Sequence, residues 1–132
     1  MSMTADLRDH LKASAIAEGR VYRDVRPQGS PLPAVRMQQV TDTVAPFMKG
    51  EDAMRETLVQ VDVFAASRSE ADEVAKAIEN SRPVRTTIGS TDFRRVFIDG
   101  GDTDSEAPAS GGTIYRTRID LLVWHRPARQ ED

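Results

Sequence analysis

Residue types that could carry out chemistry are few in this chain and stand far apart. The histidines are His10 and His125, and cysteine is absent. His10 follows Asp6 by one helical turn, which is typical of an ordinary surface pair, and His125 is expected at an exposed strand end. No serine stands in the sequence context of a nucleophile elbow. We therefore predict no catalytic residue, no thiolate chemistry and no disulfide.

Three carboxylates come nearest to a metal-ligand spacing. Asp102, Asp104 and Glu106 stand in "DTDSEAPASGGT". The central glycine and the terminal bidentate glutamate of a calcium loop are missing there. The neighbouring glycines also lack the strand-to-helix context of a phosphate-binding loop. The sequence therefore predicts neither a metal nor a cofactor.

The same segment, residues 100–112, is expected to be a mobile, glycine-rich acidic loop. It holds no base, and it offers almost nothing apolar to bury. Such a loop can become ordered when it contacts a partner, and its charge favours a basic surface there. We therefore treat its three carboxylates as candidates for a mobile partner contact.

Length and charge narrow the class of protein. A chain of 132 residues corresponds to a single domain, 1–132. The net charge of -3 argues against tight binding to a nucleic acid backbone. No apolar run is long enough to span a membrane, and the first residues do not form a signal peptide. We expect neither direct nucleic acid recognition nor membrane contact.

Hydrophobic periodicity predicts an α+β fold. A helix is expected over residues 4–18, capped by Thr4, and a second helix begins at the capping box formed by Ser67 and Glu70. Alternating residues predict strands over 21–25, 34–45 (with a bulge near Val40), 56–65, 93–99 and 113–126. The order lacks a βαβ rhythm, so we predict an antiparallel sheet of about four to five strands with two helices on one face.

The face of the sheet turned away from the helices is predicted to be a protein contact surface. It mixes large apolar side chains with arginines and other polar groups, which is typical of interfaces. The candidates are Leu58, Phe64, Arg116, Arg118, Leu122 and Trp124. Arg94 and Arg95 with Arg116 and Arg118 are also candidates for a basic patch on adjacent strands. The alternative for these arginines is cross-strand pairing with Asp62, Asp99 and Asp120.

A family resemblance fits this picture. The N-terminal amphipathic helix, the proline-rich loop after a short strand, "VQVDVFAASRSEADEVAKAI" and the closing "YRTRIDLLVWHRP" resemble the tail completion, or tail terminator, proteins of long-tailed phages and phage-derived gene transfer agents. Members of that family form a ring, commonly of about six subunits, that caps the finished tail tube and presents it to the head connector. The resemblance implies a structural virion protein without catalytic residues.

The implied partners are copies of the same chain, the tail tube protein and the head-tail connector proteins. The implied location is the tail or neck of the virion, after assembly in the host cytoplasm. Two alternatives stay open. One is another neck or connector component. The other is a small α+β ligand-binding protein or enzyme that dimerises through its sheet, which would need a pocket with converging polar groups.

Overall fold

A computed structural model describes residues 2–27, 29–44, 54–107 and 112–128. The elements in chain order are α1 (Met3–Ala13), a short 3-10 helix (Ile16–Gly19), β1 (Val21–Arg23), β2 (Ala34–Val44), β3 (Arg55–Ala65), α2 (Arg68–Asn80), β4 (Thr86–Ile88), β5 (Thr91–Glu106) and β6 (Ile114–Pro127). The six strands form one sheet in the order β1-β2-β3-β6-β5-β4. The α+β class is therefore confirmed.

The prediction of a purely antiparallel sheet of four to five strands is wrong in two details. The sheet has six strands because the three residues of β4 pair with the start of β5. It is mixed because β1 runs parallel to β2, with Val21 opposite Val35. A three-residue strand spans only about 10 Å. The loop that follows β1 therefore needs to run back only that distance to bring the start of β2 beside the start of β1, and it does so without a helix.

Alternation along the central strands builds the core. Val59, Val61 and Val63 of β3 are fully buried on one face, and the other residues of that strand point the opposite way or lie near its end. The helices supply the opposing apolar surface with Leu7 and Leu11 of α1 and with the buried stripe of α2. Both helices and this sheet face share one hydrophobic cluster. Both helices therefore cover one face, and no helix in the described part of the chain covers the other.

The helix starts and ends follow capping chemistry. Ser67 caps α2 by accepting a hydrogen bond from the Glu70 backbone N–H at 3.1 Å, which confirms the predicted start. The first helix begins earlier than predicted, because Ser2 and not Thr4 is its cap. It also ends earlier, at Ala13, because Ala15 adopts a left-handed conformation (φ 59°) that interrupts the helix.

β-Bulges set which residues face the helices. The predicted bulge near Val40 is present, between Gln39 and Thr41 of β2, and Val40 is exposed there. A second bulge at Arg94 and a third at Asp99 interrupt β5. An extra residue in a strand moves every later side chain to the opposite face.

The predicted loop over residues 100–112 is wrong in its first half. β5 continues to Glu106 and pairs with β6 throughout. The bases that the segment lacks come from the neighbouring strand, since Arg116 and Arg118 stand opposite Asp104 and Asp102. Gly101 permits close pairing, because a Cβ there would collide with the backbone of residue 118. Residues 108–111 of the predicted loop lie outside the described residues.

Candidate interface

The sheet face away from the helices, called the open face below, carries side chains in rows that cross the strands. One row joins Leu58 of β3, Leu122 of β6 and Phe97 of β5. The next row toward the start of β5 places Trp124 between Glu56 and Arg95. These rows follow from the antiparallel register, in which residues opposite each other share a face.

One end of the open face is apolar, and we call it the apolar end: Leu58, Leu122, Trp124 and Phe97. Phe97 is 43% exposed, while the other three side chains are partly buried. Phe97 and Trp124 line a shallow depression of about 320 Å³ together with Arg94 and Arg95. The indole N–H of Trp124 has no acceptor among the described residues. An aromatic pair flanked by arginines has the composition of an interface hot spot.

The other end of the open face is an ionic ladder with a buried carboxylate at its centre. The Asp62 side chain is fully buried, and its carboxylate accepts hydrogen bonds from the guanidinium of Arg36 and from Gln60 Nε2. Arg116 Nη1 lies 3.6 Å from the same carboxylate. Two arginines and an amide share this carboxylate, and its removal would take away the ion-pair partner of Arg36 and one of the partners of Arg116.

Arg116 and Arg118 extend the ladder outward to β5. Arg116 Nη2 lies 2.7 Å from Asp104, and Arg118 Nη1 lies 3.4 Å from Asp102. Arg118 Nε also lies 3.4 Å from Asp120. Cross-strand pairing is therefore confirmed for Arg116 with the predicted partner Asp62. The other cross-strand partners are Asp104 and Asp102 instead of the predicted Asp99 and Asp120, and Asp120 lies on the same strand as Arg118. The side chains of Asp102 and Asp104 remain about half exposed, so their pairs with Arg118 and Arg116 contribute little to stability.

The interface candidates from the sequence thus fall into two groups. Leu58, Leu122 and Trp124 meet at the apolar end. Phe64 lies at the ladder end and is only 9% exposed, because the guanidinium groups of Arg26 and Arg36 stack over its ring at 4.7 and 5.8 Å.

Phe97 was missed at the sequence level. Phe93 and Phe97 are four residues apart and would share a face in a regular strand. The bulge at Arg94 reverses this, so Phe93 is fully buried in the core while Phe97 points to the open face. A signal for the bulge was present in "FRRVFID". Phe93 and Val96 are three residues apart, and residues at that spacing lie on opposite faces of a regular strand. Both can face the core only if the strand contains an extra residue.

The prediction that His125 is an exposed strand end is wrong. The side chain is 7% exposed and lies opposite Phe93, on the helix-covered face. Its Nε2 is 2.7 Å from Thr57 Oγ1, which donates at 3.1 Å to Asp42 Oδ1. Burial lowers the pKa of His125; nearby Arg55 lowers it further, and Asp42 partly opposes the shift. The Asp42 pKa is also lowered, mainly by its hydrogen bond with Arg55.

His125, Thr57 and Asp42 do not form a nucleophile with an oriented base, although His125 and Thr57 are buried. Asp42 contacts the hydroxyl of Thr57 and not the imidazole, so nothing in this group holds the ring as a catalytic triad would. Thr57 is 1% exposed, which keeps a substrate away. His10, for its part, lies 2.7 Å from the Ser81 carbonyl oxygen and does not pair with Asp6.

Asp6 has a structural position instead. Its buried carboxylate accepts hydrogen bonds from the Thr91 hydroxyl at 2.6 Å and from the Ser90 backbone N–H at 3.2 Å, and so ties α1 to the start of β5. Within the described residues no three carboxylate or imidazole side chains are grouped as a metal site requires. Nor does any described helix have the length and apolarity needed to cross a membrane.

Comparison with known proteins identifies the family. The family model described as "Tail completion protein gp17" matches residues 1–81, from the N-terminus to just past α2. The chain belongs to this tail completion family. No curated protein sequence matches it significantly. Among solved structures, a chain in "Virion of native gene transfer agent (GTA) particle" is similar, with a TM-score of 0.61 and 18% sequence identity. The similarity covers 96% of this chain and 94% of that one.

As a tail completion protein, the chain is a structural component of a phage-like tail, located in the tail or neck of the virion, and not an enzyme. The family model ends before β5 and β6, whereas the structural similarity includes them. The strands that form the apolar end therefore belong to the fold that this chain shares with the gene transfer agent chain. Three of its four residues, Phe97, Leu122 and Trp124, lie outside the part of the sequence that the family model matches. The buried His125 group and the Asp6 bonds are explained as structural contacts.

Proposed function

We propose that this tail completion protein forms a ring that caps the tail tube, ends tail polymerisation and joins the tail to the head connector. The observation that carries the proposal is the near full-length similarity of fold to a chain of a native gene transfer agent virion, in a protein of the tail completion family. We expect a ring of about six copies. Its further partners are the tail tube protein and the head-tail connector proteins.

The apolar end of the open face is the proposed centre of a subunit or partner contact. It lies on three adjacent strands, so its shape is fixed by the ladder hydrogen bonds before any partner arrives. Burial of Phe97 and Trp124 against another protein would remove apolar surface from water. Arg94 and Arg95 would remain at the rim, where charged groups are tolerated.

The arm formed by β5 and β6 beyond Gly100 is a second proposed contact. Residues 101–107 are all exposed, and Asp102, Asp104 and Glu106 follow one another at alternate positions on the open face. A basic patch on a tail or connector protein would complement this row. We expect Asp104→Asn to weaken joining of the tail to its neighbour while the subunit stays folded, since the Asp104 side chain is about half exposed.

The two alternative functions, another neck component and a ligand-binding protein or enzyme, are not equally compatible with the family and the fold. Another neck component would share this fold and differ only in the partner that it touches. A ligand-binding protein or enzyme is not favoured, because the family is structural. The depression of about 430 Å³ near Phe64 is open to solvent and is lined mostly by charged and polar residues, of which Arg116 and Asp104 pair with each other. It offers no enclosed site with converging polar groups.

Mass measurement tests the ring. The purified protein would be analysed by native mass spectrometry and analytical ultracentrifugation, alone and after incubation with tail tubes made from the tail tube protein. We expect a closed oligomer of about six copies, in solution or on the tube end. A tube that continues to grow in the presence of excess protein, with only monomer or dimer detected, would overturn the proposal.

A further inference from the structure

Both edges of the sheet include strand segments without a neighbouring strand among the described residues. β1 pairs only with Val35–Met37, so no described strand lies beside residues 38–44 of β2 on the side away from β3. β4 pairs only with Thr91–Phe93, and Arg82 and Arg85 contact β5 as far as Val96. No described strand therefore pairs with residues 97–106 of β5 on the side away from β6, although Arg82, Val84 and Arg85 lie close to Phe97.

Exposed apolar side chains are concentrated at these edges. Val40 on β2 is 53% exposed, and Phe97 and Ile98 on β5 are 43% and 41% exposed. The other large hydrophobic residues exposed in the described part of the chain are Val25, which follows β1, and Val84, which precedes β4. A long strand edge with apolar side chains is a template for pairing with another chain, and proteins that remain monomeric normally protect it.

Strand directions make the two edges compatible with each other. The central strands β2, β3, β6 and β5 alternate in direction, so β2 and β5 run oppositely within one subunit. If copies are placed side by side in the same orientation, β5 of one copy meets β2 of the next as an antiparallel neighbour. Contacts of this head-to-tail kind use two different surfaces, and they close into a ring when the rotation between copies permits it.

We infer that copies of this chain join by pairing the β5 edge of one subunit, residues 97–106, with the β2 edge of the next, residues 38–44. The inference rests on the proposed ring and specifies its subunit contact. The β2 stretch is the shorter one, so pairing along its length leaves part of the β5 arm outside the contact. The antiparallel ladder gives affinity, while Val40 and the apolar residues of β5 add burial at the joint.

Cysteine cross-linking tests this contact, because the natural chain has no cysteine and an introduced thiol is the sole thiol in its subunit. Single-cysteine variants would cover each position from Gln38 to Val44 on β2 and from Phe97 to Glu106 on β5. Opposite residues in an antiparallel pair have Cα atoms about 4.5–5.5 Å apart, within the range that a disulfide spans. Each β2 variant would be mixed with each β5 variant and oxidised, with tail tubes present.

We expect disulfide-linked dimers in a set of mixtures that follows one antiparallel register, and none when either partner of such a mixture is oxidised alone. Lys76→Cys, at an exposed position of α2, is the matched control and should not link to the β5 variants. Dimers formed by one variant alone would instead show a two-fold contact and overturn the inference. Rings detected by mass without mixed cross-links would refute this contact but leave the ring intact. Absence of both would refute the ring as well.

Discussion

The two faces of the sheet are made by alternate residues of the same strands, yet they differ in burial and in composition. On β6, Leu121 is 1% exposed beneath the helices, while its neighbour Leu122 is partly exposed on the open face. The helix-covered face gathers apolar residues into one cluster. The open face divides into an apolar end and an ionic ladder, with Asp62 buried among arginines. One face holds the fold together, and the other is available for contact.

Truncating the two neighbouring leucines gives the largest expected contrast. Leu121→Ala should lower the free energy of unfolding by about 3 kcal/mol, because it leaves a cavity in a closed core. Leu122→Ala should cost about 1 kcal/mol, since the side chain is already partly in water. Urea unfolding followed by circular dichroism measures both. Equal losses would mean that the open face is as tightly packed as the core, and the comparison would fail.

Asp62 should have the next largest effect. Asp62→Asn removes the charge that Arg36 and Arg116 share, so we expect a loss of about 2–3 kcal/mol. This is less than for a fully buried pair, because both arginines are more than a fifth exposed. Asp102→Asn is the matched control, and its half-exposed pair with Arg118 should cost less than about 1 kcal/mol. If the two variants unfold at the same urea concentration, the buried charge is not stabilising the ladder.

Trp124 should separate stability from assembly. In Trp124→Glu we expect an unfolding cost of about 1–2 kcal/mol, because the side chain is only partly buried. Formation of the ring or of the tube cap should be lost, as aromatic residues dominate interfaces. Lys76→Glu on the exposed surface of α2 controls for added charge. Circular dichroism beside sedimentation distinguishes the outcomes. A variant that is unfolded would place Trp124 in the core, and a folded variant that assembles normally would remove the apolar end from the contact.

The pH dependence of stability should show the smallest effect. His125 has a lowered pKa in the folded protein, chiefly because it is buried, so folding favours its neutral form. Its stabilising contribution is complete above the unfolded-state pKa of about 6.5 and is lost as pH falls through the lower folded value. The lowered pKa of Asp42 affects the free energy of unfolding only in more acid solution, where an aspartate of the unfolded chain takes up its proton. Wild type should therefore unfold more easily at pH 5.5 than at pH 7.5, and His125→Gln should show a weaker difference. An unchanged difference would exclude His125 as its source.

Much of this architecture was predictable from local sequence. The alternation in "LVQVDVFA" identified the core face of β3, and the capping box at Ser67 located the start of α2. The mixed composition of the second face also identified Leu58, Leu122 and Trp124 as neighbours on one surface. These features depend on side-chain period and on hydrogen bonds within one turn, so a short window of sequence contains their cause.

Tertiary structure decided the rest. The parallel pairing of β1, the burial of His125 and the strand formed by residues 100–106 all depend on partners distant in the chain. The acidic segment looked unable to order itself because the arginines that neutralise it lie on β6. Phe97 faces outward because an inserted residue reverses the alternation of β5. The sequence by itself determined the core face and the places of Leu58, Leu122 and Trp124 on the other face. The outward position of Phe97, the strand register and the charge pairing depend on which strands come to lie side by side.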